Sequence, residues 1–223
     1  MATLLLQLYG PMQSWGTTSR YDERDTQLEP SKSGVIGLVC AALGRGRENA
    51  VDDLAALRMG VRIDREGVVM RDYQTATGAA IASSGRADTG RTVVSPRYFL
   101  SDAVFLVGLE GQHGLLERVD QALRSPRWPL ALGRKSFAPS KPVHLPGALL
   151  TLPLVEALAA WPDLVDDTLA DMPKRGFVED ISEGSVRLDQ PIAAFALRKF
   201  GPRFVKPVLF HPGDRHAPEQ AAA

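Results

Sequence analysis

The sequence predicts an α+β fold in which most strands pair in antiparallel fashion. Three observations predict it: apolar runs of strand length, amphipathic segments of helical period, and glycine and proline turns between them. The chain has 223 residues, of which 44% are hydrophobic and 23% charged. This composition excludes a disordered chain and provides enough apolar material for one large domain, or for a compact domain with a smaller appendage.

The elements follow one another in a recognisable order. We expect a strand at 4–9 that ends at Gly10-Pro11, a polar loop at 12–30, a helix from Ser31 or Ser33 to about Leu43, a second helix at 50–59, strands at 61–64, 68–73 and 98–109, and a helix at 114–123. Ser31 and Ser33 are typical residues at a helix start, and Gly44 suits the left-handed position after its end. The resulting order is strand, helix, strand, strand and helix, followed by further extended segments. This is the order of a ferredoxin-like fold.

Two further features define the predicted domain organisation. Residues 76–92 are rich in small and polar residues and have no apolar period, which favours a mobile loop or a protruding hairpin. From 143 to 210, antiparallel segments and a helix at 153–160 follow several prolines. We therefore expect a ferredoxin-like domain at 1–145 and a smaller, β-rich C-terminal lobe at 146–223.

The cellular compartment is predicted from cysteine use and hydropathy. Cys40 is the single cysteine, so no internal disulfide forms, and its apolar surroundings favour a buried structural thiol. The opening residues do not predict a signal peptide, and no apolar run reaches the roughly 20 residues that cross a bilayer. We expect a soluble, cytoplasmic protein without membrane contact. The four histidines show no metal-ligand spacing, so neither a metal nor a cofactor is expected.

Charge is balanced overall but unevenly distributed. The chain has 26 basic and 26 acidic residues, yet residues 121–155 contain five cations and no acid, and 190–213 contain four cations and no acid. The intervening segment 156–189 holds nine acids against three cations. Such segregation builds a basic face that attracts phosphate, or else reflects chance clustering on solvated loops.

Several residues match the chemistry of RNA recognition. In Leu132-Gly133-Arg134-Lys135-Ser136, two cations and a hydroxyl follow a glycine that lets the backbone approach a phosphate. The loop after the first strand places Trp15 where it stacks on a base or plugs a core edge, with Gln13 and Arg20 for the RNA backbone. The remaining candidates lie in or near the small-residue segment: Arg86, Arg91 and Arg97.

In order and spacing, these pieces resemble the CasD family, the fifth-type Cas proteins (RAMP superfamily) of the type I-E CRISPR surveillance complex, Cascade. The resemblance rests on residues 5–16 (LLQLYGPMQSWG), 30–44 (PSKSGVIGLVCAALG), 71–75 (RDYQT), 97–103 (RYFLSDA) and 132–136 (LGRKS), and it covers about the first two-thirds of the chain. The segments GPMQSWG and the capped PSKSG helix start are the most specific.

The resemblance implies a ferredoxin-like (RAMP/RRM-like) fold with a protruding thumb β-hairpin at about 76–97. It also implies a non-catalytic subunit that grips the 5′ handle of the CRISPR RNA (crRNA) and caps the backbone filament in antiviral defence. Its partners would be the crRNA, the backbone Cas subunits and the large DNA-recognising subunit, with target DNA reached indirectly. Lys32 and Ser33 would face the handle at the helix start, and Arg134, Lys135 and Ser136 would line its groove.

Two alternatives remain at this stage. In the first, the chain is a metal-independent endoribonuclease that processes repeat RNA. Related proteins of subtype I-C cut RNA in this way, with a Tyr, Lys and His group. Its only candidates are Lys32, Tyr73 and His144, while position 74 is glutamine where a relative has histidine. The other alternative is a protein scaffold whose basic stretches are incidental.

Overall fold

The structure, a computed structural model, describes residues 1–18, 23–78, 80–81, 85–165 and 172–211. Strands in these ranges are β1 (Ala2–Tyr9), β2 (Met12–Gln13), β3 (Arg58–Arg65), β4 (Val68–Thr77), β5 (Ala80–Ile81), β6 (Ala87–Asp88), β7 (Thr92–Ser101), β8 (Val104–Gly111), β9 (His144–Leu150), β10 (Lys174–Glu179), β11 (Ser185–Pro191) and β12 (Phe200–Phe210). The helices are α1 (Lys32–Leu43), α2 (Asp52–Ala55), α3 (His113–Arg124) and α4 (Leu154–Ala160), with a 3₁₀ turn at Phe195–Leu197.

A seven-stranded sheet organises the molecule, with the order β11-β12-β10-β3-β8-β1-β9 and antiparallel pairing between neighbours. β1 and β8 each pair with a strand on both sides and are buried on both faces, which explains their nearly continuous apolar sequences. The mixed α/β architecture with mostly antiparallel sheets agrees with the sequence prediction.

Each face of this sheet supports its own core, because successive strand residues point to opposite faces. Leu4, Leu6 and Leu8 of β1 join the larger cluster, to which α1 and α3 also contribute. Leu5, which lies between them in sequence, joins the second cluster with Leu158 of α4. The sheet is thus covered by α1 and α3 on one face and by α4 on the other.

The ends of α1 follow from local chemistry. The side chain of Ser31 is the N-cap and accepts a hydrogen bond of 3.3 Å from the N–H of Gly34. Gly44 ends the helix in the left-handed conformation, at φ 70°. Of the two caps that the sequence allowed, the structure uses Ser31, and the predicted end at Leu43 is confirmed.

A long hairpin leaves the sheet between β3 and β8. Its strands β4 and β7 pair from Val68↔Ser101 to Thr77↔Thr92, and the short β2 adds to the β7 side. β5 and β6 pair beyond the end of this ladder. The segment predicted as a loop or hairpin at 76–92 therefore includes the far end of a ladder that begins eight residues earlier, at Val68.

Two predicted elements were wrong in their extent. The helix expected at 50–59 shrinks to α2, because Met59, Val61 and Ile63 alternate into the core as part of β3. The strand expected at 98–109 is two strands, β7 and β8, separated where Asp102 takes a positive φ of 58°. In both places, the pairing of distant strands decided against local propensity.

The C-terminal segments join the same sheet, because β10 pairs with β3 through Gly176↔Arg62 to Val178↔Gly60. The expected boundary at residue 145 falls within β9. The division into two domains stays a prediction. Within the described ranges, no helix has the length and apolar character needed to cross a membrane.

Candidate nucleic-acid interface

A groove of about 270 Å³ lies where the start of α1 meets three loops. The loop after β2 contributes Ser14, Trp15, Gly16, Arg24 and Asp25, the start of α1 contributes Ser31, Ser33 and Gly34, and the α3–β9 connection contributes Gly133 and Arg134. Phe195 and Phe200 complete the lining from the C-terminal part of the chain. The groove therefore gathers residues that are far apart in sequence.

Arg134 is the best positioned cation of this groove. Its Nη2 donates hydrogen bonds to the carbonyl oxygens of Tyr98 (2.8 Å) and Arg24 (3.2 Å), and its guanidinium carbon lies 5.4 Å from the centre of the Phe137 ring. Nε and Nη1 have no hydrogen-bond partner in the described part of the chain. The side chain is thus oriented by one nitrogen and keeps two others for a ligand.

Positive charge is concentrated around Arg134. Burial lowers the pKa of its guanidinium, and the charges of Arg97 and Arg24 lower it further. Arg24 and Arg97 are brought together by backbone pairing, since the N–H of Arg24 donates to Pro96 O (3.0 Å) and that of Tyr98 to Arg24 O (2.8 Å). Three arginines therefore share one region, which is a favourable environment for an anion.

Gly133 holds this loop against the one that follows β2. The N–H of Ser14 donates to Leu132 O (3.0 Å), and Gly133 has a φ of 90°. A Cβ atom at position 133 would lie 1.7 Å from Ser14 O, so a side chain there is incompatible with the observed loop. The glycine of the sequence motif LGRKS is required for packing between the loops, in addition to any approach to phosphate.

Gln13 and Trp15 require a correction, because both are structural. Trp15 is 1% exposed, and a Cβ on Gly34 would lie 2.8 Å from its ring. Gln13 is fully buried; its Nε2 donates to Leu8 O and Ala103 O, and its Oε1 accepts from Trp15 Nε1 at 3.2 Å. Trp15 borders the groove but neither side chain is exposed enough to stack on a base, so the alternative in which Trp15 plugs a core edge is correct.

Lys32 requires a second correction. Its side chain is buried, and Nζ lies 3.0 Å from Oε1 of Glu179. Its backbone N–H, which was expected to face a phosphate, donates to Oδ2 of Asp189 at 2.8 Å. The N-terminus of α1 is therefore capped from within the protein, and among the two residues expected there only Ser33 lines the groove.

The remaining predicted residues lie at different distances from the groove. Lys135 and Ser136 are exposed and directly follow Arg134. Arg97 is half-buried beside the groove, and its Nε donates to Ser95 Oγ at 3.3 Å. Arg86 and Arg91 are exposed near the far end of the hairpin. Arg20 lies outside the described residues.

Sequence reasoning missed Arg24, Phe195 and Phe200. Arg24 belongs to a loop whose pairing with β7 has no local sequence signal. The two phenylalanines fall in the acid-free segment 190–213, next to Arg198 and Lys199. An aromatic residue beside cations is the signal that would have indicated them.

The three residues named for the nuclease alternative do not form a common group. Lys32 is engaged with Glu179, Tyr73 is exposed on β4, and His144 at the start of β9 lies 3.0 Å from Oδ1 of Asp120. No hydrogen bond or ion pair joins any two of these three described side chains. In this arrangement they offer no shared acid and base for one phosphodiester.

Comparison with known proteins agrees with this architecture. The sequence model described as CRISPR-associated protein (Cas_Cas5) matches residues 3–206. The CRISPR system Cascade subunit CasD of Escherichia coli (strain K12) is 33% identical over 157 residues, which cover 64% of this chain and 69% of that protein.

Two solved structures are similar over nearly the whole chain. One, described as a crystal structure of a Cas protein, has a TM-score of 0.80 and 46% identity, covering 96% of this chain and 97% of the other. The second, described as a CRISPR RNA-guided surveillance complex, has a TM-score of 0.76 and 29% identity, covering 98% and 95%. The fold is thus that of a CRISPR-associated protein. The chain belongs to the Cas5 family, and the CasD resemblance that the sequence indicated is confirmed.

Proposed function

We propose that this chain is a non-catalytic RNA-binding subunit of a type I-E CRISPR Cascade complex, and that its groove receives the 5′ handle of the crRNA. The observation that carries the proposal is the convergence of Arg24 and Arg134 in one groove, with Arg97 directly beside them. Guanidinium groups are well suited to phosphate, because their planar donors bind two oxygens at once. The groove also contains Asp25, whose Oδ2 already accepts bonds from Thr17 and Thr18.

The handle would follow the exposed side of the loop that begins at Gly133. Arg134 would contact one phosphate through Nε and Nη1, with Ser33 across the groove in the first turn of α1 and Lys135 and Ser136 further along the loop. These contacts are independent of base identity, so they position the RNA and make its affinity salt-dependent. Gly16, without a side chain, leaves room for the RNA backbone at the edge of the groove.

We also propose a ferredoxin-like core with a thumb. The order β1, α1, β3, β8, α3, β9 along the chain, and the order β9-β1-β8-β3 in the sheet, support that assignment. The hairpin of β4 and β7 would be the thumb, and the exposed Arg86 and Arg91 near its end would close over the RNA. Thumb and groove are linked directly, because Arg134 hydrogen-bonds to Tyr98 O on β7.

Assembly with other Cas subunits is supported by the relatives, of which one is a named Cascade subunit and another belongs to an RNA-guided surveillance complex. In that setting the chain would cap the backbone filament, contact the large DNA-recognising subunit and work in the cytoplasm. Exposed apolar residues on the hairpin give it a surface for protein: Val68, Val69, Met70, Tyr73 and Val94. Lone exposed apolar residues are common, but a run along one hairpin favours a partner.

The experiment that tests the proposal is a binding and cleavage assay with labelled CRISPR repeat RNA in the absence of metal ions. We expect tight binding that weakens steeply between low and moderate salt, because phosphate contacts release counterions. The RNA should stay intact. Cleavage at one position would establish the endoribonuclease alternative, and binding that does not respond to salt would favour the protein scaffold.

A further inference from the structure

Two aromatic rings line the groove and have no role in the phosphate contacts proposed above. Phe195 lies in the 3₁₀ turn after β11, and Phe200 is the first residue of β12. Their ring centroids are 6.4 Å apart, and their planes are inclined by 49°. Both rings line the same groove as Ser33 and Arg134. The β11–β12 connection is thus an aromatic wall of a groove whose other walls carry cations.

The fold holds the backbone at both rings in place, and the Phe195 ring also packs against the larger core cluster. The backbone around Phe195 is fixed to the segment after α1, since Ala196 N donates to Arg47 O at 2.9 Å and Arg47 Nη2 donates to Phe195 O at 3.3 Å. Phe200 is fixed by strand pairing with Pro191, and it remains 39% exposed. A ring that is rigid and accessible binds a flat ligand with little loss of conformational entropy.

The charges next to these rings are also accessible. Arg198 and Lys199 lie between the two phenylalanines in sequence and are exposed, with Arg198 held at a positive φ of 50°. Neither forms an ion pair with a described residue. The other cations of this acid-free segment are engaged: Arg203 with Asp189 and Lys206 with Asp180. The charge left for a ligand therefore lies beside the aromatic wall.

We propose that Phe195 and Phe200 form a stacking platform for one unpaired base of the bound RNA, with Arg198 and Lys199 at the adjacent phosphates. Aromatic faces next to cations are the chemistry by which proteins hold single-stranded nucleic acid. Phenylalanine has no hydrogen-bonding side-chain group, so binding to the platform requires a base but does not depend on which base it is. This inference rests on the proposed RNA-binding function of the groove.

The test uses the full chain and a set of 5′ handle RNAs, each with one base replaced by an abasic site. The native chain should lose affinity by roughly 5- to 150-fold when the stacked base is missing, the range expected for one base on an aromatic residue. In Phe200→Ala the intact RNA should bind correspondingly more weakly, and the abasic penalty at that one position should disappear. Penalties at the other positions should stay as they are.

Three further variants make the result specific. Phe200→Trp keeps an aromatic face and should retain the abasic penalty, whereas Phe200→Leu keeps apolar bulk and should lose it. Leu209→Ala removes an exposed apolar side chain from the same strand outside the groove, and it should bind like the native chain. Thermal unfolding of each variant shows whether the variant is folded under the conditions of the binding assay.

The outcomes separate the platform from the proposed function. If the native chain binds handle RNA in a salt-dependent manner but Phe200→Ala keeps the same abasic penalty, the platform is wrong and RNA binding stands. This includes the case in which Phe200→Ala weakens intact and abasic RNAs equally, since the ring then supports the groove without stacking on a base. If the native chain does not bind the RNA, both proposals fail.

Discussion

The Nζ atom of Lys32, the first residue of α1, lies 3.0 Å from Oε1 of Glu179 on β10, and the side chains are 3% and 16% exposed. Arg203 on β12 approaches the same oxygen at 3.5 Å and binds Asp189 on β11 at 2.5 Å. One buried cluster of charges therefore joins the start of α1 to three strands of the C-terminal part. Because Ser33 and Gly34 follow directly, this cluster also fixes one wall of the groove.

We predict that Glu179→Gln lowers the free energy of unfolding by about 3 kcal/mol, because it removes the carboxylate that pairs with the buried ammonium of Lys32 and leaves only Asp189, which is already bound to Arg203. Burial lowers the pKa of Lys32, and Glu179 is the first of the groups that raise it. In the variant, the folded state therefore releases the lysine proton at a pH below the unfolded value of 10.5. Part of the lost stability should return as pH rises towards 10.5. Urea unfolding at several pH values measures both effects.

Glu183→Gln is the matched control for this prediction. Glu183 also binds a lysine, Lys206, at 3.2 Å, but its side chain is 71% exposed. An exposed ion pair contributes little, so we expect a change below about 0.5 kcal/mol. Equal losses of unfolding free energy in the two variants would show that the buried Lys32–Glu179 pair is no more costly to break than the exposed Lys206–Glu183 pair.

Two glycines of α1 should respond to alanine with opposite signs. At Gly34 a Cβ would lie 2.8 Å from Trp15 Cε3 and 3.0 Å from Ser31 Oγ, so Gly34→Ala should destabilise the fold by about 1–3 kcal/mol. At Gly37 the nearest atom is Phe195 Cζ at 4.0 Å, so Gly37→Ala should stabilise it by about 0.5–1 kcal/mol through helix propensity. Melting temperatures of both variants test this. A lower melting temperature for Gly37→Ala would show that the space beside Gly37 cannot accept a methyl group.

Much of the fold could be predicted from the sequence because its signals are local. The Ser31 cap, the Gly44 end and the amphipathic period of α3 each depend on residues within a few positions of one another. The shortened α2 could not be predicted in this way. Its neighbours become part of β3 only because β8 and β10 lie on either side of that strand.

The site was harder to predict because charge along the sequence is a poor guide to charge on the surface. The acid-free segment 190–213 suggested four available cations, but β12 pairs with β10 and β11, which bring Glu179 and Asp189 to Arg203. Trp15 illustrates the same difficulty for aromatic residues: its packing in the core beside Gly34, nineteen positions away, distinguishes a core plug from a stacking surface, and no local sequence signal indicates it. Arg134 could be proposed from the sequence because Gly133 and Lys135, which complete its motif, are its immediate neighbours.

Cys40 should be inert in the native chain. Burial raises the pKa of its thiol to about 11, from an ordinary value of 9.0. At pH 8 the native thiolate population is then roughly 100-fold smaller than in the unfolded chain, and only thiolate reacts with alkylating reagents. We expect labelling to become fast only in denaturant. Rapid labelling of the native chain would show that α1 opens locally.

The same shift gives a pH dependence of stability with a definite sign. Between pH 9.0 and about 11 the unfolded chain loses the thiol proton while the folded chain keeps it. The contribution of Cys40 to stability is therefore complete below pH 9 and falls with rising pH, by at most about 1.4 kcal/mol per pH unit. Cys40→Ala should lack this part of the slope, and the difference between the two urea unfolding series isolates it.

Arg134 provides the sharpest test of the groove. We expect Arg134→Ala to weaken binding of handle RNA by roughly 1–3 kcal/mol, as for a charge-assisted hydrogen bond, and to reduce the salt slope by about one counterion. Arg118→Ala is the control, since Arg118 is an exposed cation on α3 that bonds to the carbonyl of Gly114 within its own helix. Both variants lower the net charge equally, so a general electrostatic effect would weaken binding equally. A loss confined to Arg134→Ala requires a local contact at the groove, whereas unchanged binding would remove this residue from the RNA interface.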